Sequence, residues 1–313
     1  MAFWHKWFVP KPFNDGYLPE LDGHEIYFRE FGNPQGEVIL TFHGGPGFWS
    51  RPEKVRDFDL KKYRVIQFDQ RGCGKSKPAG KLENNTTQDN VEDAVRLLNY
   101  LKINGKIILF GGSWGSTMAL MFAERYPDLV KCMILSKIFL ANDDSRKWEL
   151  KDSAAFYPDI LEAIRGDLAD NDLIPEYYLK LISSDDASQQ AKAASLYGSL
   201  ENFLGHLNPQ INMHTPNETE LAMQRVYIYY AARRFMMKDD ELIENSAKIK
   251  HIPSLIVHNR LDFICPPVNA YRLHKALPMS KLVIVPDKGH SSKMLSDVII
   301  KEMNEFLLKY GDE

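Results

Sequence analysis

One serine sits among glycines where an apolar run changes period, in Gly111-Gly112-Ser113-Trp114-Gly115-Ser116. Lys106-Ile107-Ile108-Leu109-Phe110 before it reads as a short strand. After it, Met118, Leu120, Met121, Phe122 and Tyr126 recur at helical spacing. A G-x-S-x-G run on so tight a strand-to-helix turn strains the serine backbone, and the small neighbours let the chain pass. Such a turn lifts the hydroxyl out at the carboxyl end of the strand and points the N-terminus of the next helix at the reacting atoms. The chemistry this suits is nucleophilic attack by an alcohol.

A serine nucleophile needs a base, a group to orient that base, and donors for the oxyanion. Leu255-Ile256-Val257-His258-Asn259-Arg260-Leu261-Asp262 reads as a strand running into an acid. Leu282-Val283-Ile284-Val285-Pro286-Asp287-Lys288-Gly289-His290 reads as a strand running into Gly-His. Asp262 and His290 thus follow Ser113 in the order serine, acid, histidine, both past strand ends on the sheet edge where ligands bind. His258 precedes the end of its strand and is expected to be packed or capping; His251 is also near that strand. Asp287 is a rival acid, but it lies just before His290 and is expected to shape the turn. For the oxyanion, the N–H of Trp114 has a natural companion in Thr41-Phe42-His43-Gly44-Gly45-Pro46-Gly47, with Gly45 as donor.

These groups need a scaffold that brings strand ends together. Apolar runs at 26–31, 38–42, 64–68, 107–110, 133–135, 255–257 and 282–285 predict strands. Helical patterns at 91–101, 117–125, 268–276 and 295–308 alternate with them. The alternation predicts an α/β fold, a mostly parallel twisted sheet with helices on both faces. Between 142 and 250 strands are missing; Tyr177-Tyr178-Leu179-Lys180-Leu181-Ile182 and 191–204 are amphipathic at helical period. The expected layout is a core of 1–141 and 251–313 with an inserted helical cap, 142–250.

Composition excludes several other classes. With 44% hydrophobic and 26% charged residues in 313, the chain is neither disordered nor membrane-spanning in character. A formal net charge of -3 with scattered Lys and Arg leaves no footprint for nucleic acid. Cys73, Cys132 and Cys265 are too few and too far apart for a disulfide framework or a metal site, and structural roles are expected for them. The N-terminal residues lack a signal-peptide pattern, so the cytoplasm is the expected compartment. No metal, cofactor, nucleic acid or membrane is expected as partner, and the sequence leaves the oligomeric state open.

His43-Gly44-Gly45-Pro46-Gly47, Asp69-Gln70-Arg71-Gly72-Cys73-Gly74-Lys75-Ser76, Glu83-Asn84-Asn85-Thr86-Thr87 and the serine motif occur in one order. Together they closely resemble the proline iminopeptidases of the α/β-hydrolase fold, from about residue 16 to 290. The resemblance implies Ser113 as nucleophile, Asp262 and His290 as its partners, and Gly45 with Trp114 as oxyanion donors. It implies that Phe139 lines a pyrrolidine pocket. It also implies a pair of cap glutamates around the substrate's free amino end; Glu201 matches the first, whereas Tyr227 stands in place of the second. Phe48-Trp49 replaces small residues after the oxyanion loop and is expected to narrow the mouth of the site. Ser136 stands where an arginine is usual.

The implied activity is a serine hydrolase that releases an N-terminal residue, preferentially proline, from small peptides through an acyl-enzyme. Two alternatives stay open: an esterase, amidase or lactonase acting on substrates without a free amine, and a ligand-binding protein that keeps the hydrolase shape.

Overall fold

A computed structural model describes residues 9–207 and 210–311. The apolar runs pair into one eight-stranded sheet made of β1 (Asn14–Tyr17), β2 (Tyr27–Gly32), β3 (Glu37–Phe42), β4 (Tyr63–Phe68), β5 (Ile107–Ser113), β6 (Val130–Ile138), β7 (Ser254–Leu261) and β8 (Ser280–Lys288). The strand order is β1-β2-β4-β3-β5-β6-β7-β8. β2 runs antiparallel to β1 and β4, and every other pairing is parallel. β5 therefore lies near the middle of the sheet, and its carboxyl end opens among the ends of β3 and β6.

Successive residues of the central strands enter different cores, as the pleat requires. Leu40, Ile66, Leu109, Met133, Leu135 and Ile256 pack under α1 (Thr87–Tyr100) and α2 (Trp114–Arg125). Their neighbours Ile39, Val65, Ile108, Ile134 and Val257 pack on the opposite face. Burial on both faces is why these strands read as continuous apolar runs rather than alternating ones.

Between β6 and β7 the described residues contain helices and no strand: α3 (Asp143–Leu150), α4 (Pro158–Arg165), α5 (Ile174–Ile182), α6 (Ala187–His206), α7 (Glu218–Ala232) and α8 (Glu241–Glu244). α9 (Pro267–Ala276) and α10 (Lys293–Tyr310) complete the fold. Leu295, Ile299, Met303, Phe306 and Leu307 of α10 cover the face that α1 and α2 do not. The helices between β6 and β7 have a core of their own, with Leu150, Ile160, Tyr178, Tyr197, Leu200 and Ile228 buried together. Tyr230 of α7 fastens them to the sheet domain, its hydroxyl donating to Asn85 Oδ1 (2.9 Å) and accepting from Asn90 Nδ2 (2.8 Å).

Four differences from the sequence expectation have clear causes. β1 was not foreseen, because Asn14-Asp15-Gly16-Tyr17 has no apolar period and pairs only at the sheet edge. β5 runs on through Gly111 and Gly112 to Ser113, since parallel pairing with Leu135 and Ser136 overrides the weak strand preference of glycine. α1 starts at Thr87 instead of 91, because Thr86 and Asp89 form a reciprocal capping box. α2 starts at Trp114 instead of 117, immediately after the serine.

The loop after β4 is held by a buried ion pair. Arg71 Nε donates to Asp93 Oδ2 at 2.6 Å and Nη2 to Oδ1 at 3.1 Å, with both side chains almost wholly out of solvent. The Asn84 carbonyl and the Asn90 side chain add further bonds to the same residue. Removing one member of such a pair strands the other charge in low dielectric. Asp93→Ala is expected to cost about 3–5 kcal/mol of stability, seen as a clear fall in Tm, while the exposed pair Lys293–Asp297 tolerates Asp297→Ala with a change below about 1 kcal/mol.

Candidate active site

Ser113 occupies φ 59°, ψ -132°, a conformation that few side-chain-bearing residues adopt. The turn closes so tightly that a Cβ on Gly111 would lie 2.1 Å from the Gly115 carbonyl oxygen. One on Gly115 would lie 2.2 Å from the Phe42 oxygen. The two glycines are therefore steric requirements of the turn. Ser116 Oγ donates back to the Ser113 carbonyl (2.7 Å) and accepts from Phe139 N (3.2 Å), which locks the first turn of α2 to the end of β6.

Asp262 directly follows β7, and His290 follows β8 and Gly289, whose φ is +82°. The Asp262 carboxylate accepts from the N–H groups of Ile264 and Cys265, each at 3.0 Å. His290 Nδ1 lies 3.0 and 2.9 Å from its two oxygens. Burial alone would raise this carboxyl, but His290, His258 and the Cys265 N–H outweigh it and hold it below the usual range. An ionised carboxylate only accepts, so the imidazole nitrogen that faces it, Nδ1, carries a proton. Ser113 and His290 line one cavity of about 820 Å³ together with Gly45, Glu201 and Tyr227. The buried Cys265 thiol lies against the Ser113 hydroxyl, and burial first, then Asp262, pushes it well above its ordinary range.

The competing residues have other work. His258 is fully buried in β7; its Nε2 donates to the Cys265 carbonyl (2.7 Å) and its Nδ1 accepts from Ile138 N (3.0 Å). His251 lies in an exposed turn. Asp287 falls inside β8, and its carboxylate takes the N–H of Lys288 at 2.8 Å.

Gly45 and Trp114 flank Ser113 from two directions. An ideal Cβ on the neighbouring Gly44 would stand 3.7 Å from the Ser113 Cβ, so the loop after β3 passes directly over the serine. Gly45 has φ +123°, and a Cβ there would meet the Gly47 and Phe48 nitrogens at 2.8 and 2.9 Å. The loop is braced from beneath. Trp114 Nε1 donates to Gln70 Oε1 (2.8 Å), Gln70 Nε2 to the His43 carbonyl (3.3 Å), and Gln70 N to His43 Nε2 (3.0 Å). Burial lowers the His43 imidazole from its ordinary range, so it stays neutral as that acceptor.

A narrow recess leads off the cavity at Ser113. Phe139, Phe235, Leu204 and Ile264 give it apolar walls, with Phe139 and Phe235 edge to face at 5.0 Å between ring centres. Into it project Glu201, Tyr227 and a residue that sequence reasoning missed, Glu149. Burial raises the Glu149 carboxyl to about 7 against the pull of Arg146. Burial and then Glu149 raise Glu201 to about 7, with Gln224 opposing. Burial and the two carboxylates hold the Tyr227 hydroxyl protonated. Tyr227 thus brings no charge, and the second acid comes from α3. Ser145 and Glu149, four apart, share the face of α3 turned to the recess, whereas Asp143, Asp144 and Lys147 of the same helix are exposed. Phe48 and Trp49 line the main cavity, Trp49 at its exposed rim. Among the described residues no group of His, Cys, Asp and Glu could hold a metal ion.

The sheet order and the serine turn define the class, and residues 37–297 match the model of the alpha/beta hydrolase fold. Solved structures agree at the level of fold. A proline iminopeptidase-related protein from Thermus thermophilus superposes with a TM-score of 0.58 at 19% identity, over 95% of this chain and 98% of that one. An esterase from Rhodococcus sp. ECU1013 gives 0.60 at 16% identity, over 95% and 99%. Sequence likeness goes further. A proline iminopeptidase of Arabidopsis thaliana is 38% identical over 90% of this chain and 76% of its own. That of Neisseria gonorrhoeae is 33% identical over 96% and 98%. Within the α/β hydrolases, the chain belongs to the proline iminopeptidase family.

Two carboxyls held to about 7 by burial also weigh on stability. The folded protein keeps these protons while the unfolded chain, near 4.5, has released them, so stability falls as pH rises between those values. Glu201→Gln removes part of that penalty. Its Tm is expected to exceed that of the parent at pH 8, and the difference should close as pH approaches 4.5; paired thermal melts across pH check this.

Proposed function

We propose that the protein is a serine aminopeptidase that releases an N-terminal residue, proline foremost, from short peptides. The observation that carries this reading is the recess beside Ser113, lined by apolar side chains and by the two carboxyl groups of Glu149 and Glu201. Apolar walls suit a pyrrolidine ring, and paired carboxylates suit the secondary ammonium that only a free N-terminus supplies. Names borne by relatives at 33–38% identity point to the same substrate.

In this reading His290 Nε2 takes the proton of Ser113 as the hydroxyl oxygen attacks the scissile carbonyl. Asp262 stabilises the imidazolium that forms. The N–H groups of Gly45 and Trp114 receive the oxyanion, an interaction worth about 3 kcal/mol per donor in comparable sites. His290 returns the proton to the leaving amine, and water then hydrolyses the prolyl ester on Ser113 by the same base. Glu149 and Glu201 hold the ammonium, in a recess that Tyr227 also lines. The recess has about 20 Å³ of open space, so a ring enters as the helices of 142–250 ease away from the sheet domain, which makes them a lid. The described residues contain no helix long and apolar enough to cross a membrane, and the three cysteines are unpaired; both fit a cytoplasmic enzyme.

Ser113→Ala is expected to lower kcat on a prolyl arylamide by about 10⁴-fold or more, with loss of fluorophosphonate labelling. The substrate reading is tested by comparing that arylamide with its N-acetyl form and with a simple acyl ester. The free amine should be strongly preferred, and faster turnover of the blocked compound would overturn the aminopeptidase assignment. Because the carboxyls ionise only near 7, kcat/KM on the free-amine substrate should rise between pH 5 and 8. Glu149→Gln with Glu201→Gln should raise KM and remove the part of that rise that depends on the free amine.

A further inference from the structure

Away from the recess, the main cavity extends into a second lobe that reaches the 3-10 turn Pro52–Asp57 and α10. Its lining is charged with the other sign. Arg51, Lys54 and Lys137 border it; of the acids there, Asp57 is paired with Lys54 at 3.8 Å. Among the described residues no ion pair or hydrogen bond engages the Lys137 ammonium or the Arg51 guanidinium.

Lys137 is placed by a local irregularity. Gly112 pairs with Ser136 and Ser113 with Ile138, so Lys137 is the extra residue of a bulge in β6, directly beside the serine turn. Its φ is 51°, a value that ordinarily calls for glycine or asparagine. The bulge re-aims the side chain, and Nζ ends 3.6 Å from where a Cβ on Gly112 would stand. Backbone strain at a cavity wall, spent on pointing a long cationic side chain at the residue preceding the nucleophile, is the pattern of a functional position. Burial, then Lys54 and Arg51, lower the proton affinity of this amine, with Asp262 opposing; an anion arriving in the lobe would restore it.

We propose that Lys137, with Arg51 at the outer edge, binds the free α-carboxylate of the leaving residue, so that the preferred substrates are dipeptides carrying both termini. This rests on the aminopeptidase reading above: with the amine held at Glu149 and Glu201, the acyl carbonyl lies at Ser113 and the leaving residue extends into the cationic lobe. One residue beyond the scissile bond brings its carboxylate next to the nucleophile's neighbour, and a longer peptide moves that charge away from Lys137.

The test compares three substrates with one N-terminal residue: prolylglycine, prolylglycinamide and a prolyl arylamide, each with the parent, Lys137→Met and Lys137→Arg. The parent should favour the free acid over its amide by about tenfold or more in kcat/KM, as expected for a charge-assisted bond in a partly buried site. Lys137→Met should lower the free-acid value by a similar factor, chiefly through KM, and leave the amide and arylamide within about threefold. Lys137→Arg should recover part of the preference. An amide cleaved by the parent as well as the free acid overturns the proposal whatever the variants do, and so does an equal loss on all three substrates in a folded Lys137→Met. If the arylamide itself is not cleaved by the parent, the aminopeptidase reading fails instead.

Discussion

Everything near the candidate nucleophile depends on a steric constraint: the backbone at Ser113 turns through a left-handed conformation in a space with no room for side chains. Gly111 and Gly115 stand where any Cβ would meet a carbonyl oxygen at little more than 2 Å. Because the turn is closed this tightly, β5 passes straight into α2, with Ser113 at the junction. The loop carrying Gly44 and Gly45 then fits directly over the serine. Relaxing the turn would lose the alignment of strand end, helix N-terminus and loop amides at once.

Around that fixed point charge is distributed asymmetrically. In one part of the site two carboxylates share a recess with apolar walls, where burial holds each to about 7. In another, Lys137 and Arg51 border the cavity, and among the described residues no ion pair or hydrogen bond engages either cationic group. The groups nearest the serine are held in single states: His43 neutral as an acceptor, Asp262 ionised under two backbone N–H groups, Cys265 a thiol. The main cavity is thus lined by groups of both signs, with the candidate nucleophile on the same lining.

Much of this was legible in the sequence because it follows local rules. A serine between glycines at a change of period, an acid at one strand end and Gly-His at another each announce themselves within a few residues, and the continuous apolar strands announce a sheet covered on both faces. Glu149 and Lys137 were not legible, for a physical reason. Each is an ordinary charged residue whose direction is set by packing: one by which face of α3 turns inward, the other by a single extra residue in β6. Tyr227 stands in place of the second implied glutamate, and the acid near it lies almost eighty positions earlier and reaches the recess only through tertiary structure.

The end of α6 touches the chemistry in a way its own core does not require. The carbonyl of Gly205 accepts the backbone N–H of His290 at 3.0 Å, one residue before α6 ends. The peptide group that carries the imidazole is thus clamped partly by the insertion and partly by the sheet domain, where Asn259 Nδ2 holds the Gly289 carbonyl at 2.8 Å. Helix and histidine are tethered like a door to its own latch: where the last turn of α6 sits fixes one side of the peptide group that carries the imidazole, and Asn259 fixes the other. The placement of the His290 ring is therefore shared by the two parts of the molecule through a single amide.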